Sequence, residues 1–499
     1  MVAPLRDRLV AGVSPFPAVR PLAGGRDARD AEGCGTVTTG VGGNMIYVVA
    51  AIAGIAGLLF GFDEGVIAGA LGLLRAQFGI TPLDEGLITS AVPFGALFGA
   101  ILAGWLAKPA GRRPLLLFAA VLFVAGALFA ALAHAAWVLG IARLVLGFAI
   151  GIAAMIAPLY ISESVPAARR GMLVSIYQLA ITLGILGAYL VGYAFSESWR
   201  TMFAVGMIPG LALFVGMMFM SDTPRWLAMR GRRDEALATL AKVRGVPKTD
   251  PAASAELAEI VRTAATDSRD DKGKLAELFG PVARPALIVG MGLFLLQQLS
   301  GINAVIYYAP TVFQLAGFDS AEIQILATAG IGVVNVLMTL VGMALIDRIG
   351  RRRLLYIGFA GAAFSLGVIA IAAASGSPDL GILALIGLVL YIASFAASIG
   401  PLPWVMMSEI FPLNVRGPGM SFASLANWGF NFVVVFSFPV LVADIGLAGV
   451  FGIYAVVCVA GLVFTRLYVP ETNGVPLEDI ERHLQSGRPF RDLAPAAGR

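Results

Sequence analysis

The chain has 499 residues, 58% of them hydrophobic and only 13% charged, and a formal net charge of +4. An average soluble domain carries about 25% charged residues, so this is the composition of a polytopic membrane protein, and the small positive balance is no argument for nucleic acid. Two cysteines, Cys34 and Cys458, and two histidines, His134 and His483, argue against a disulfide framework and a metal centre. No G-x-x-x-x-G-K-[ST] phosphate loop is present.

Residues 1–44 are rich in Gly, Ala, Pro and Arg and lack the apolar core of a signal peptide. They read as a disordered cytoplasmic extension, with a true start at Met45 as the alternative. Crossing ~30 Å of hydrocarbon takes about 20 apolar residues. Stretches of that length fall near 45–74, 86–107, 114–134, 137–162, 172–193 and 201–220, then near 284–314, 323–345, 354–374, 382–407, 418–442 and 446–465. They predict an all-α membrane protein of twelve transmembrane helices, six in an N-terminal half (45–220) and six in a C-terminal half (283–466). Between the halves, the interval 221–282 holds stretches such as DEALATLAKVRG, whose apolar residues recur at helical spacing and predict short amphipathic helices. Residues 467–499 form a tail.

Lysine and arginine set the orientation. With the N-terminus inside, the inner loops hold 21 of them and the outer loops two, Arg75 and Arg200. Both termini are therefore expected on the cytoplasmic side. The halves also repeat each other. SESVPAARRG (162–171) and SEIFPLNVRG (408–417) share S-E-x-x-P-x-x-x-R-G, and a GRR follows both the second and the eighth span, at 111–113 and 350–352. Duplicated six-helix halves are one architecture of carriers that alternate access around a central site.

With PLYISE (158–163), SDTPRWL (221–227), QQLSGIN (297–303), DRIGRRR (347–353), GPLPW (400–404), PETNG (470–474), and Ala142-Arg143-Leu144 where G-R-L is usual, the chain resembles the sugar porter family of the major facilitator superfamily over about residues 45–480. GFDEGVIAGAL and GWLAKPAGRR resemble proton-coupled bacterial hexose and pentose symporters more than facilitative animal carriers. The sequence departs from the family at Lys108-Pro109, where Asp-Arg is common, at Asp222 for Glu, at Asn473 for Lys, and at Glu64, an unusual neighbour for the first-span acid.

Away from the membrane surfaces the N-terminal spans hold three charged residues, Asp63, Glu64 and Arg143, and the C-terminal spans hold amides instead. Asp63 and Arg143 fall at similar depth, which suits either a switchable proton site or a static ion pair. The resemblance favours the first, because proton-coupled members carry Asp there. Glu64 lies about 100° around the helix from Asp63, and its role stays open. Amides donate and accept hydrogen bonds, as sugar hydroxyls do. By resemblance Gln178, Gln297, Gln298, Asn303, Asn335, Trp404 and Asn431 match sugar-contacting positions; Asn427 shares a helix face with Asn431. Interhelical hydrogen bonding is the alternative for the amides. Gln298 and Asn303 meet only if Ser300-Gly301 bends the helix. Tyr307 and Tyr308 are candidate outer-gate residues. Arg112, Glu163, Arg170, Arg225, Arg351, Glu409 and Arg416 are expected to form inter-half ion pairs that latch the outward-facing state and break when the inside opens.

These features point to a proton-coupled monosaccharide symporter in the plasma membrane, acting on a hexose, pentose or related polyol. A facilitative uniporter with a structural Asp63–Arg143 pair is the alternative. The partners expected are a sugar, a proton and the lipid bilayer, with no nucleic acid and no cofactor, and a monomer is the family default. A receptor would need a longer signalling tail than the roughly 30 residues after the last span, and a drug exporter a more aromatic cavity. No catalytic constellation supports an enzyme.

Overall fold

The computed structural model describes residues 44–166, 169–267, 276–412 and 414–493, with the side chains of 170–171 and 264–267 set aside. Of the N-terminal extension expected over 1–44, residues 1–43 lie outside the described residues. The first six spans are Met45–Phe78, Pro82–Ala110, Arg112–Ala131, Ala136–Ser164, Arg170–Ala194, and a sixth built from Trp199–Val205 and Met207–Met218. Their ends follow local chemistry. Gly79 closes the first span in the left-handed region (φ 62°). Thr81 and Asp84 form a capping box at the start of the second.

The seventh span is broken where the Ser300-Gly301 step predicts. Helix Arg284–Leu299 ends, Gly301 takes φ 91°, and helix Ile302–Leu315 begins. The break is clamped on both sides: the Tyr391 hydroxyl donates to the Ser300 carbonyl at 3.0 Å, and a Cβ at Gly301 would meet the Tyr454 ring at 2.3 Å. Spans eight and nine are Ala321–Ile349 and Arg351–Ala374. The tenth runs Leu380–Ser394, passes through a π-helical turn at Phe395–Ile399, and resumes at Leu402–Ile410. The last two spans share one 52-residue run, Arg416–Leu467, divided at Gly446, whose φ of 66° and ψ of 179° leave the helix. Twelve crossings result.

Lipid tails supply no hydrophobic drive between helices, so close van der Waals contact must hold them. Glycines make that contact. A Cβ at Gly95 or Gly99 would lie 2.3 or 2.1 Å from the carbonyl oxygen of Leu144 or Phe148, and one at Gly147 or Gly151 would lie 2.1 Å from that of Val92 or Ala96. The second and fourth spans are thus in backbone contact through reciprocal small residues.

Between the halves, helices Pro224–Met229, Arg233–Arg244 and Pro251–Asp267 pack through Trp226, Leu227, Ala236, Leu240 and Leu257. DEALATLAKVRG lies mostly within the second of these helices, as its periodicity predicts. The end of the bundle carrying these helices and both GRR turns is called the linker end below. At the opposite end the first span packs on the second segment of the seventh. Among the described residues no comparable packing joins the fourth span to the linker-end segment of the tenth.

Candidate functional site

The first span brings its acids to the middle of the bundle. Asp63 Oδ2 lies 3.5 Å from Arg143 Nη2, with the two side chains 1% and 0% exposed. Charge-assisted N–H···O bonds are usually about 2.7–2.9 Å, so the pair is loosely engaged. Arg143 Nε donates to the Ile88 carbonyl at 3.0 Å, its Cζ lies 5.9 Å from the Phe203 ring centroid, and its Nη1 is buried without a partner. The guanidinium is therefore held by the second and sixth spans and retains a donor that Asp63 does not use.

The C-terminal half supplies a chain of amides across the bend of the seventh span. Asn303 Nδ2 donates to Gln298 Oε1 at 2.6 Å, and Gln298 Nε2 donates to Asn427 Oδ1 at 2.7 Å. The bend thus unites two side chains that a straight helix would keep apart. Gln297 has a different use: its Nε2 donates to the carbonyls of Ile399 and Gly400 at 2.9 and 2.7 Å. Both amide hydrogens satisfy backbone freed by the irregular turn of the tenth span, which makes Gln297 a positioning residue in this conformation. One turn beyond Asn427, Asn431 is 2% exposed and its Oδ1 has no partner. The Asn335 side chain makes no hydrogen bond among the described residues and is 8% exposed. Gln178 is half-buried. Trp404 is 37% exposed and sets its ring edge-on to Phe294 at 4.8 Å. These last three stand outside the amide chain.

The halves meet across aromatic and polar contacts away from the linker end. Phe60 packs on Trp428 at 5.3 Å and Phe94 on Phe432 at 5.2 Å. The Tyr308 hydroxyl bonds the Thr89 hydroxyl and donates to the Val435 carbonyl. Tyr189 donates to the Ile306 carbonyl at 2.9 Å. Tyr307 and Tyr308 are 1% and 0% exposed. Sequence reasoning missed the outermost contact, in which Arg75 grips Glu85 at 2.8 and 2.6 Å and reaches Thr311 of the other half at 3.1 Å. The signal was present: Arg75 is one of only two cations assigned to the outer loops, with an acid one turn into the next span.

At the linker end the latch carboxylates take partners on their own side of the molecule. Glu163 accepts from Arg112 at 2.7 Å and from Thr223 at 2.7 Å. Glu409 accepts from Arg351 at 2.9 Å and from Thr472 at 2.6 Å. Each carboxylate is satisfied by an Arg of its own half and a Thr just beyond that half's last span, so these pairs do not bridge the halves in this conformation; among the described residues the fourth and tenth spans show no comparable packing here. Arg416 Nε and Nη2 are buried without partners. The Arg170 side chain lies outside the described residues, and Arg225 sits on helix Pro224–Met229.

The two clusters match in detail. Asp222 accepts from the backbone amides of Arg112 and Arg113 at 3.1 and 3.4 Å, and Glu471 from those of Arg351 and Arg352 at 2.9 and 3.1 Å. Each carboxyl caps the span that begins at its GRR. Burial raises the pKa of the Asp222 carboxyl against these hydrogen bonds. An acid-Thr pair after the sixth and twelfth spans (222–223 and 471–472) is the repeat signal that sequence reasoning left unused. Asn473, the departure from Lys, accepts from Arg351 Nη1 at 2.6 Å, a bond an ammonium could not make.

A duplicated twelve-span bundle, with a buried ion pair in one half and an amide chain in the other, is a membrane carrier of the major facilitator class. Residues 49–484 match the family model described as Sugar (and other) transporter, and the chain belongs to that family. It is 40% identical over 455 residues to the galactose-proton symporter of Escherichia coli K12, covering 90% of this chain and 96% of that protein. It is 40% identical over 438 residues to a D-xylose transporter of Levilactobacillus brevis, covering 87% and 94%. Among solved structures, the proton:xylose symporter XylE bound to 6-bromo-6-deoxy-D-glucose is 32% identical, with a TM-score of 0.74, covering 88% of this chain and 99% of that one. The inward open conformation of XylE from E. coli gives a TM-score of 0.76 at 30% identity, covering 88% and 99%.

Proposed function

We propose that the protein imports a monosaccharide together with a proton across the plasma membrane, as a monomer that alternates access between its two sides. The class of substrate is a hexose, pentose or related polyol. The linker end faces the cytoplasm, because the inner loops then hold nearly all the loop lysine and arginine. The observation that carries the reading is the division of labour between halves: the charged Asp63–Arg143 pair in one, a neutral Asn303–Gln298–Asn427 chain in the other.

The chemistry follows from those groups. Outside, a proton taken up by Asp63 removes its charge and loosens a contact that is already long. The Asn303 Oδ1, the Asn427 Nδ2 and the Asn431 side chain offer acceptors and donors to sugar hydroxyls, and Trp404 offers an aromatic face to the C–H side of the ring. Gln178 and Asn335 contribute further amides from the facing spans. The halves then close outside through Tyr307, Tyr308 and the Arg75–Glu85–Thr311 contact, and part at the cytoplasmic end. Sugar and proton leave, and Asp63 pairs again with Arg143 for the empty return. Arg170, Arg225 and Arg416 join the Glu163 and Glu409 clusters in holding the inner end shut when the outside is open.

The test is sugar-induced alkalinisation of a weakly buffered, de-energised cell suspension, tried with D-galactose, D-xylose, D-glucose, L-arabinose and myo-inositol. Alkalinisation by one of these, lost in Asp63→Asn while exchange of that sugar continues, is the expected result. Uptake of the same sugar with no pH change would establish the uniporter instead.

A further inference from the structure

Asp63 has a cation; among the described residues Glu64 is in no ion pair. Its side chain is 3% exposed, and the hydrogen bonds and ion pairs among the described residues include none to its carboxyl. Glu64 stands four residues after Phe60, so the two share one helix face, and Phe60 meets Trp428 of the opposite half. Gly61 and Gly65 point elsewhere, into backbone contact with the fifth span. Glu64 therefore lies between the fifth-span seam and the inter-half side of the first span, while Asp63 turns to the fourth.

Among the described residues, the titratable groups coupled to Glu64 include Asp63 on its own helix, Tyr177 and Tyr189 from the fifth span, and Tyr307 from the seventh. None is a cation. The Arg143 guanidinium of the fourth span is engaged with Asp63. The Tyr177 hydroxyl is buried without a partner, and that of Tyr189 is spent on the Ile306 carbonyl. An ionised carboxylate buried with neither cation nor donor is so costly that the group neutralises instead. Two acids beside one guanidinium leave one charge compensated and one acid that must keep its proton.

We propose that Glu64 is a second protonatable group of the transport site, holding its own proton whenever the site crosses the membrane and presenting a neutral carboxyl, donor and acceptor together, to a sugar hydroxyl. This extends the symport reading, in which Asp63 alone gains a proton outside and loses it inside. The Glu64 proton crosses in both directions, so it adds nothing to the proton:sugar ratio. It adds instead a second protonation requirement, which fails when alkaline water enters the open site.

Sugar exchange separates the two acids. Counterflow of labelled D-galactose and D-xylose is measured from pH 6 to 10 in vesicles carrying the wild type, Asp63→Asn, Glu64→Gln, or both substitutions, each normalised to its own maximum. With Asp63 removed from titration, exchange still falls on the alkaline side, at the steepest about tenfold per pH unit, the slope of one required proton. The double variant is flat, and Glu64→Gln alone keeps the wild-type number of protons per sugar. Asp63→Asn/Glu64→Ala serves as a second removal of the acid. A flat Asp63→Asn profile overturns the proposal, as does a Glu64→Gln variant that moves fewer protons per sugar. A wild type that moves no protons, yet shows this alkaline limb in Asp63→Asn and not in the double variant, would sink the symport reading and leave Glu64 standing.

Discussion

Gly61→Ala tests how the first span is held. A Cβ there would sit 1.8 Å from the Ile181 carbonyl oxygen, 2.7 Å from its carbon and 2.9 Å from the Ile185 nitrogen. Ordinary contact begins at 3.4 Å, so the first and fifth spans must part by about 1.6 Å (3.4 minus 1.8). All three obstacles are backbone, so no side chain can rotate out of the way. Gly57 and Gly65, at 2.5 and 2.8 Å from carbonyls of the same helix, keep the rest of the seam tight and concentrate the strain. Overpacking of this kind costs about 1–3 kcal/mol, and a backbone clash belongs at the upper end. Asp63 sits two residues away, and a shift of that size exceeds the slack in its 3.5 Å contact with Arg143. The expected result is a lower thermal midpoint in detergent, read by size-exclusion fluorescence, and initial sugar uptake reduced by about tenfold or more for a loss of 1.4 kcal/mol or more. Gly72→Ala is the control: on the same helix its Cβ would meet nothing within 4 Å, so stability stays level or rises by up to about 1 kcal/mol. If Gly61→Ala matched wild type in both uptake and midpoint, the glycine seam would not be what positions Asp63.

Gly301→Ala combines left-handed strain of about 1–2 kcal/mol with a clash against Tyr454, and should abolish the folded carrier; adding Tyr454→Ala recovers only the part due to the clash, as judged by yield of monodisperse protein. Asp222→Ala and Glu471→Ala each strip two backbone amides of their cap, and each should lower stability by about 0.5–2 kcal/mol. Similar shifts in thermal midpoint would establish that the halves use equivalent caps. Asn427→Ala should weaken sugar binding about tenfold, the loss of one hydrogen bond of about 1–1.5 kcal/mol, with the proton:sugar ratio unchanged; calorimetric titration and the alkalinisation assay read the two quantities. Gln297→Leu should lower the thermal midpoint, because it orphans the Ile399 and Gly400 carbonyls; a stable variant with weakened sugar binding would make Gln297 a sugar contact.

What could be read from the chain divides by range. Span positions follow from hydropathy, and the seventh-span bend follows from the one residue that tolerates φ 91°. The nearness of Asp63 and Arg143 follows from two charges at equal depth in apolar helices, where an unpaired charge is untenable. Asp444 and Gly446 mark the divide between the eleventh and twelfth spans, where the apolar stretches 418–442 and 446–465 part. The partners the two latch carboxylates take in this conformation were not legible, because both meet an Arg and a Thr from far along the chain, and the tertiary arrangement decides which ones. The Gln297 contact with the tenth span was equally hidden: nothing local reports a π-helical turn with carbonyls in need of donors.

Trp428, pressed against Phe60 across the seam and 2% exposed, makes the molecule its own optical probe. Trp226, by contrast, is tied within the N-terminal side of the molecule by its Nε1 bond to the Lys108 carbonyl. When the halves swing, the first indole exchanges an aromatic neighbour for water while the second keeps its surroundings. A red shift of emission assigned to Trp428 by its replacement with Phe, set against a steady Trp226 signal, would time the opening of the carrier without any attached label.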